Sequence, residues 1–217
     1  MSNLHIYILC FSAAVLVCTQ LFSSSNSSGS HDEVQIKTSE LRMVDLCESM
    51  SLLFQKGLFS DLTVVADGEF KVHKGILSAR SEVFHQMLES QRDLEKIVID
   101  GISKTAMVQM LFFIYTGHTE ELSVEVAVEL FKAADKYKLH LLKSMCSDIL
   151  MGNLNLDNLL EFLSLAVKHS DENLQNASVD FIVDNILAIR EHNMWLKFVE
   201  THPHVVDNVL MVLASKK

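Results

Sequence analysis

The residues of this chain that could do chemistry fall into three groups. Asp61 and His73 stand close in sequence, an acid and an imidazole of the kind that pass protons in acid–base catalysis. His202 and His204 make an H-x-H step whose imidazoles suit a divalent metal. Cys10, Cys18, Cys47 and Cys146 are the thiols. None of these groups is completed by its surroundings. Asp61 precedes an expected strand and His73 an expected helix, positions where such side chains satisfy local backbone groups. No further ligand lies near the H-x-H step, and Pro203 between the two histidines marks a helix start instead. The cysteines are widely spread with no C-x-x-C spacing, so they read as small packed residues, neither a zinc site nor a disulfide framework. No Ser/His/Asp order, phosphate-binding glycine loop or paired carboxylates complete a catalytic constellation. The expectation is a protein without catalytic residues, metal or cofactor.

Composition and periodicity give the elements that must hold these residues. With 217 residues and 49% hydrophobic content the chain can bury a sizeable core, in one domain or two closely packed ones. One proline and seven glycines favour a helix-rich fold over an all-β one. A formal charge of −10, with no run of Lys or Arg, disfavours nucleic acid as a partner, because phosphate binding needs a basic face. Leu46, Met50 and Leu53 recur at i, i+4 and i+7 on a helix expected from about residue 39 to Gly57. Leu62–Val65 and Phe70–Val72 flank Asp67-Gly68, a two-residue hairpin signal. Short helices are expected over 74–79 and 81–89, then a strand at Ile97–Ile99 closed by Asp100-Gly101. Ser103 and Ser123 can cap the next two helices, and a third spans about 139–150.

Beyond Asn153 the pattern is helical only. Asn155 is expected to cap a helix with Leu156, Leu159, Leu160, Leu163 and Val167 on one face. Ser170 is expected to cap another carrying Leu174, Ala177, Phe181 and Ile182. A last pair is expected around 193–200 and 203–214.

Five blocks in this order carry a resemblance: Phe59-Ser60-Asp61-Leu62-Thr63-Val64, Phe70 to Ser81, Phe84 with Met87, Phe113-Ile114-Tyr115-Thr116-Gly117, and Ala133-Ala134-Asp135-Lys136-Tyr137. Together they resemble the core of a BTB/POZ domain. The tail, with Asn153-Leu154, His169-Ser170, Asp180-Phe181-Ile182, Trp195 and His202-Pro203-His204-Val205-Val206, resembles the BACK-like region of speckle-type POZ proteins. The resemblance implies an α+β fold: a BTB/POZ domain over 39–152, a small sheet covered by helices, then an all-helical BACK-like region over 153–217. It also implies a protein-interaction module, homodimeric or paired with related BTB proteins, serving as adaptor or modulator of cullin-type ubiquitin ligases in the nucleus or cytoplasm. Such proteins carry a MATH domain ahead of the BTB domain. Here about forty residues precede the first helix, without the alternation a sandwich needs, so that domain is expected to be missing.

Two surfaces follow from the resemblance. Leu46, Met50, Leu53 and Ile76 are the expected dimer face, where BTB dimers exchange their first helix. Met87, Leu88 and Glu89 fit the hydrophobic-x-Glu pattern of a cullin contact, though earlier than usual and before a shortened loop, 90–96. The N-terminus points elsewhere. Ile6–Cys18 is an apolar run of signal-peptide length, and extension to Phe22 brings it near the lower limit of a membrane span. No Lys or Arg precedes it, and the serine-rich stretch 23–30 reads as a solvated linker. Residues 1–30 are therefore expected to add nothing to the fold. Two readings stay open: a leader without function, or a segment directing a secreted or membrane-tethered protein.

Overall fold

The computed structural model describes the backbone of residues 31–191 and 194–215. The apolar run and the serine-rich stretch lie outside them. The chain divides into a first unit, Met1–Leu46, and a second, Cys47–Lys217. Helix α1, His31–Lys56, begins earlier than its periodicity predicts and stops at the expected glycine. Gly57 adopts φ 57°, and its N–H donates to Leu53 O at 3.0 Å. An added Cβ there would meet Lys71 Cβ at 3.0 Å, so glycine suits the position twice over.

The hairpin follows. β1, Leu62–Ala66, pairs antiparallel with β2, Gly68–Val72, and parallel with β3, Lys96–Val98, in the order β2-β1-β3. The register sets Ala66 opposite Gly68, leaving Asp67 alone at the tip, a tighter connection than the two-residue turn expected. Leu62 and Val64 of the central strand are buried, with Val72 and Ile97 beside them. The parallel β1–β3 pairing requires a crossover. Helices α2, Lys74–Arg80, and α3, Glu82–Ser90, supply it. Ser81 caps α3 by accepting from Phe84 N–H at 3.2 Å, and its hydroxyl donates to Tyr137 O at 2.7 Å. Phe84 then stacks on Tyr137 with centroids 4.5 Å apart.

Helix α4, Lys104–Thr116, is capped by Ser103, as expected, and ends at Gly117 in the left-handed conformation. Helical spacing sets Met107, Met110, Leu111 and Ile114 on one face, yet nearly every residue from Ala106 to Thr116 is buried. A helix apolar all round belongs inside. Helix α5, Val124–Lys136, capped by Ser123, packs along it, as does α2, and helix α6, His140–Gly152, packs on α5; all share one core with the sheet.

The helical tail comprises α7, Leu159–Lys168, α8, Glu172–Asp184, α9, Ile186–Glu191, α10, Met194–Thr201, and α11, Pro203–Ser215. Three details differ from expectation. Asn155 does not cap α7: its Oδ1 accepts from the N–H groups of Asp157 and Asn158, building a turn ahead of the helix. Ser170 does not cap α8, because it sits at φ 52°, outside the extended region a cap needs. Asp171 takes the role, accepting from Leu174 N–H at 2.9 Å. The short α9 has no counterpart in the sequence pattern, since six residues give no readable period.

Helix α7 faces two ways. Leu159 and Leu163 join the tail's own core with Ile182, Phe198, Val205 and Val209, while Phe162, Leu165 and Ala166 enter the core beneath α4 to α6. A polar joint crosses the same seam. Lys143 Nζ donates to Asp135 Oδ1 and to His169 O, both at 2.6 Å, and His169 Nδ1 lies 2.8 Å from Asp135 Oδ2. Burial alone would raise the Asp135 pKa, but hydrogen bonds from Lys143 and His169 outweigh it and lower the pKa below its ordinary value. A carboxylate with a lowered folded pKa adds stability above its unfolded pKa of 3.8, lost as pH falls through the folded value. Asp135→Asn should cost about 1–2 kcal/mol near neutral pH, allowing for its partial exposure, by denaturant titration. The gap to wild type should close in acid.

Candidate functional site

The acid–histidine pair is built into the β2–α2 corner. Asp61 Oδ1 accepts from Lys74 N–H at 2.8 Å, tying the start of β1 to the first turn of α2. His73 Nε2 lies 2.7 Å from Leu58 O, and its Nδ1 lies 2.7 Å from the Tyr115 hydroxyl, which also accepts from His73 N–H at 2.9 Å. Because a carbonyl can only accept, Nε2 carries the proton and Nδ1 accepts from Tyr115. Every donor then has an acceptor, and no imidazole lone pair faces solvent. Burial pushes the Tyr115 pKa up to about 12, so the phenol keeps the proton it donates. This is a hydrogen-bonded brace between α4 and the sheet. Tyr115→Phe should cost about 1–3 kcal/mol by chemical denaturation, because it strands two polar groups of His73.

The other candidates are equally engaged. His202 has a hydroxyl beside each ring nitrogen, and its centroid is 6.4 Å from that of His204. Among the described residues, no three His, Cys, Asp or Glu side chains converge on a metal position. Cys47 Sγ donates to Thr116 O at 3.3 Å. Cys146 is fully buried, and burial pushes its thiol pKa up to about 12, far from a reactive thiolate.

Part of what reaches solvent is apolar. On α1, Leu46 belongs to the first unit and is 55% exposed. Met50 and Leu53 are half-buried and pack on the core of the second unit, as does Ile76 on α2. The structure adds neighbours in sequence that periodicity missed: Leu52 and Leu58 are exposed, and Phe59 is 95% exposed at φ 59°. Phe59 is a bulky residue in the left-handed region, a strained placement. The available signal was an apolar pair directly after the helix-stop Gly57, where neither helix nor strand can bury it.

The second set lies at the end of α3. Met87 is half-buried against the core, Leu88 is buried at 7% exposure, and Glu89 is exposed and 3.7 Å from His85. Only Met87 and Glu89 therefore present surface. The helix closes on Met87 O, which accepts from Ser90 Oγ and Gln91 N–H before the loop to β3.

The family model for the BTB/POZ domain matches residues 50–154. Two mouse (Mus musculus) proteins, TD and POZ domain-containing protein 1 and TD and POZ domain-containing protein 1-like, are each 37% identical over 177 residues, covering 78% of this chain and 48% of their own length. The chain thus spans about half the length of these curated relatives. Among solved structures, the BTB domain of zebrafish PATZ1 superposes with a TM-score of 0.45 at 21% identity, covering 59% of this chain and 100% of that domain.

Proposed function

Because residues 50–154 form a BTB/POZ domain, we propose that the protein is an assembly module that pairs with a second copy of itself or with related BTB proteins. The observation that carries this reading is the apolar stripe of α1, in which Leu46 is exposed while Met50 and Leu53 are only half-covered by their own chain. A two-fold contact along this stripe, with Ile76 at its junction, is self-complementary and presents each residue twice. The hydrogen bonds of Asp61 and His73 to Lys74, Leu58 and Tyr115 suit a structural brace.

Light scattering on the full chain tests the pairing. Wild type should be dimeric at micromolar concentration, and combined Leu46→Asp, Met50→Asp and Leu53→Asp should give a monomer or an unfolded chain. Leu46→Asp alone separates those outcomes, since Leu46 is exposed and its change should leave the fold intact. A wild type that stays monomeric would refute the reading.

The adaptor role is a further proposal resting on the same domain. We infer a contact with a cullin-type scaffold through Met87 and Glu89, with a BACK-like tail over 153–217 extending the module. Leu88 supports that contact only from within the core. Calorimetry against a cullin N-terminal domain should show binding that weakens at least about tenfold on combining Met87→Ala and Glu89→Lys, as expected for small hot-spot contacts. Affinity unchanged by the pair would place the contact elsewhere. We infer the nucleus or cytoplasm as its location from the resemblance alone. Among the described residues no helix is long and apolar enough to cross a membrane.

A further inference from the structure

His202 forms the corner between α10 and α11. Its carbonyl accepts from Val205 N–H at 3.0 Å, and its ring lies against Phe198 at a centroid distance of 6.1 Å. The residue is buried, with Nε2 2.9 Å from Ser164 Oγ on α7 and Nδ1 2.7 Å from Thr201 Oγ1. Each hydroxyl is also short to a carbonyl one helical turn back: Ser164 Oγ is 2.6 Å from Leu160 O, and Thr201 Oγ1 is 2.7 Å from Lys197 O.

A hydroxyl has one proton, and a carbonyl can only accept. If both hydroxyls keep their carbonyl bonds, both ring nitrogens must donate, which only the imidazolium can do. With the ring neutral, one hydroxyl turns its proton from its carbonyl to the ring while the other still accepts from it. Burial decides between these states, because a buried cation without an anion costs far more than one hydroxyl–carbonyl bond.

Among the described residues, no carboxylate stands beside the ring as a counter-charge. Helix α7 presents Ser164, with Glu161 exposed; α10 presents Phe198 and Thr201, with Lys197 and Glu200 exposed. Helix α11 presents His204, a like charge once protonated. Asp180 and Asp184 of α8, which packs on α11, are exposed. Burial, and then His204, lower the His202 pKa below its ordinary value of 6.5.

We propose that the joint between α7 and the last two helices is a proton-gated clamp, closed while His202 is neutral and loosened when acid charges a ring with no carboxylate partner among the described residues. The sign follows from linkage. A histidine whose folded pKa is lowered contributes stability that is complete above its unfolded value and lost as pH falls through the folded one. The acid-sensitive part is α10 and α11, while α4 and α5 contain no part of the clamp.

The test uses the full chain. Nitrogen-detected magnetic resonance should show His202 titrating below 6.5. Hydrogen exchange, corrected for intrinsic rates, should show the opening of α10 and α11 rising up to about tenfold per pH unit between the unfolded and folded pKa values. Protection of α4 should stay flat over the same range. His204→Gln, a change at an exposed position, should move the His202 pKa upward, and Ser164→Ala should move it further down. A His202 that titrates at or above 6.5, or tail protection independent of pH, would overturn the proposal.

Discussion

Helix α4 has no face for water, and the second unit is organised by the need to cover it. From Ala106 to Thr116 its side chains share one core with those of the sheet, and the helix packs on α2 and α5, so it runs inside its domain. A buried helix satisfies its own backbone but leaves its ends and its polar residues to be paired. Ser103 closes one end and Gly117 the other. Along its length Tyr115 reaches His73, Gln109 bonds with Glu120, and Thr116 turns back to Phe112 O. Polar residues that look like chemistry in the sequence thus belong to the support of one buried rod.

The same economy of surface explains the tail. Helix α7 cannot bury both its apolar flanks against a single neighbour, so it stands between two cores and joins them. The Asp135–Lys143–His169 joint adds direction to that apolar seam, because its three hydrogen bonds fix how the tail meets α5 and α6. Outside these cores, apolar side chains on α1 and after it, such as Leu46, Leu52, Leu58 and Phe59, stay exposed.

Much of this was legible in the residues. Ser103 and Ser123 cap where their positions predict, the β1–β2 pairing follows from Asp67-Gly68, and α11 starts at Pro203. Caps and turns are local, so one sequence carries them. The misses are positions where local chemistry is shared between neighbours. Ser170 and Asp171 both suit a cap, and only the left-handed turn closing α7 assigns the role to Asp171. The burial of α4 on all sides depends on partners distant in sequence. Period alone places Leu46, Met50 and Leu53 on one stripe of α1, of which Leu46 is exposed, whereas Leu58 and Phe59 lie in a loop where no period exists.

The parallel pairing of β1 with β3 carries a consequence for the order in which the chain assembles. β1 and β2 can close as a hairpin from adjacent residues, with little loop entropy lost. β3 finds its edge of β1 only after α2 and α3 have carried the chain across the sheet, a contact between strands well separated in sequence. Until then the edge that Thr63 and Val65 offer to β3 stands open, with bonds such as Ile99 N–H to Val65 O still unmade. During synthesis the nascent domain therefore exposes a bare strand edge from the time the hairpin forms until Ile99 has been added and docked, and that interval is when another chain could pair with it in β3's place.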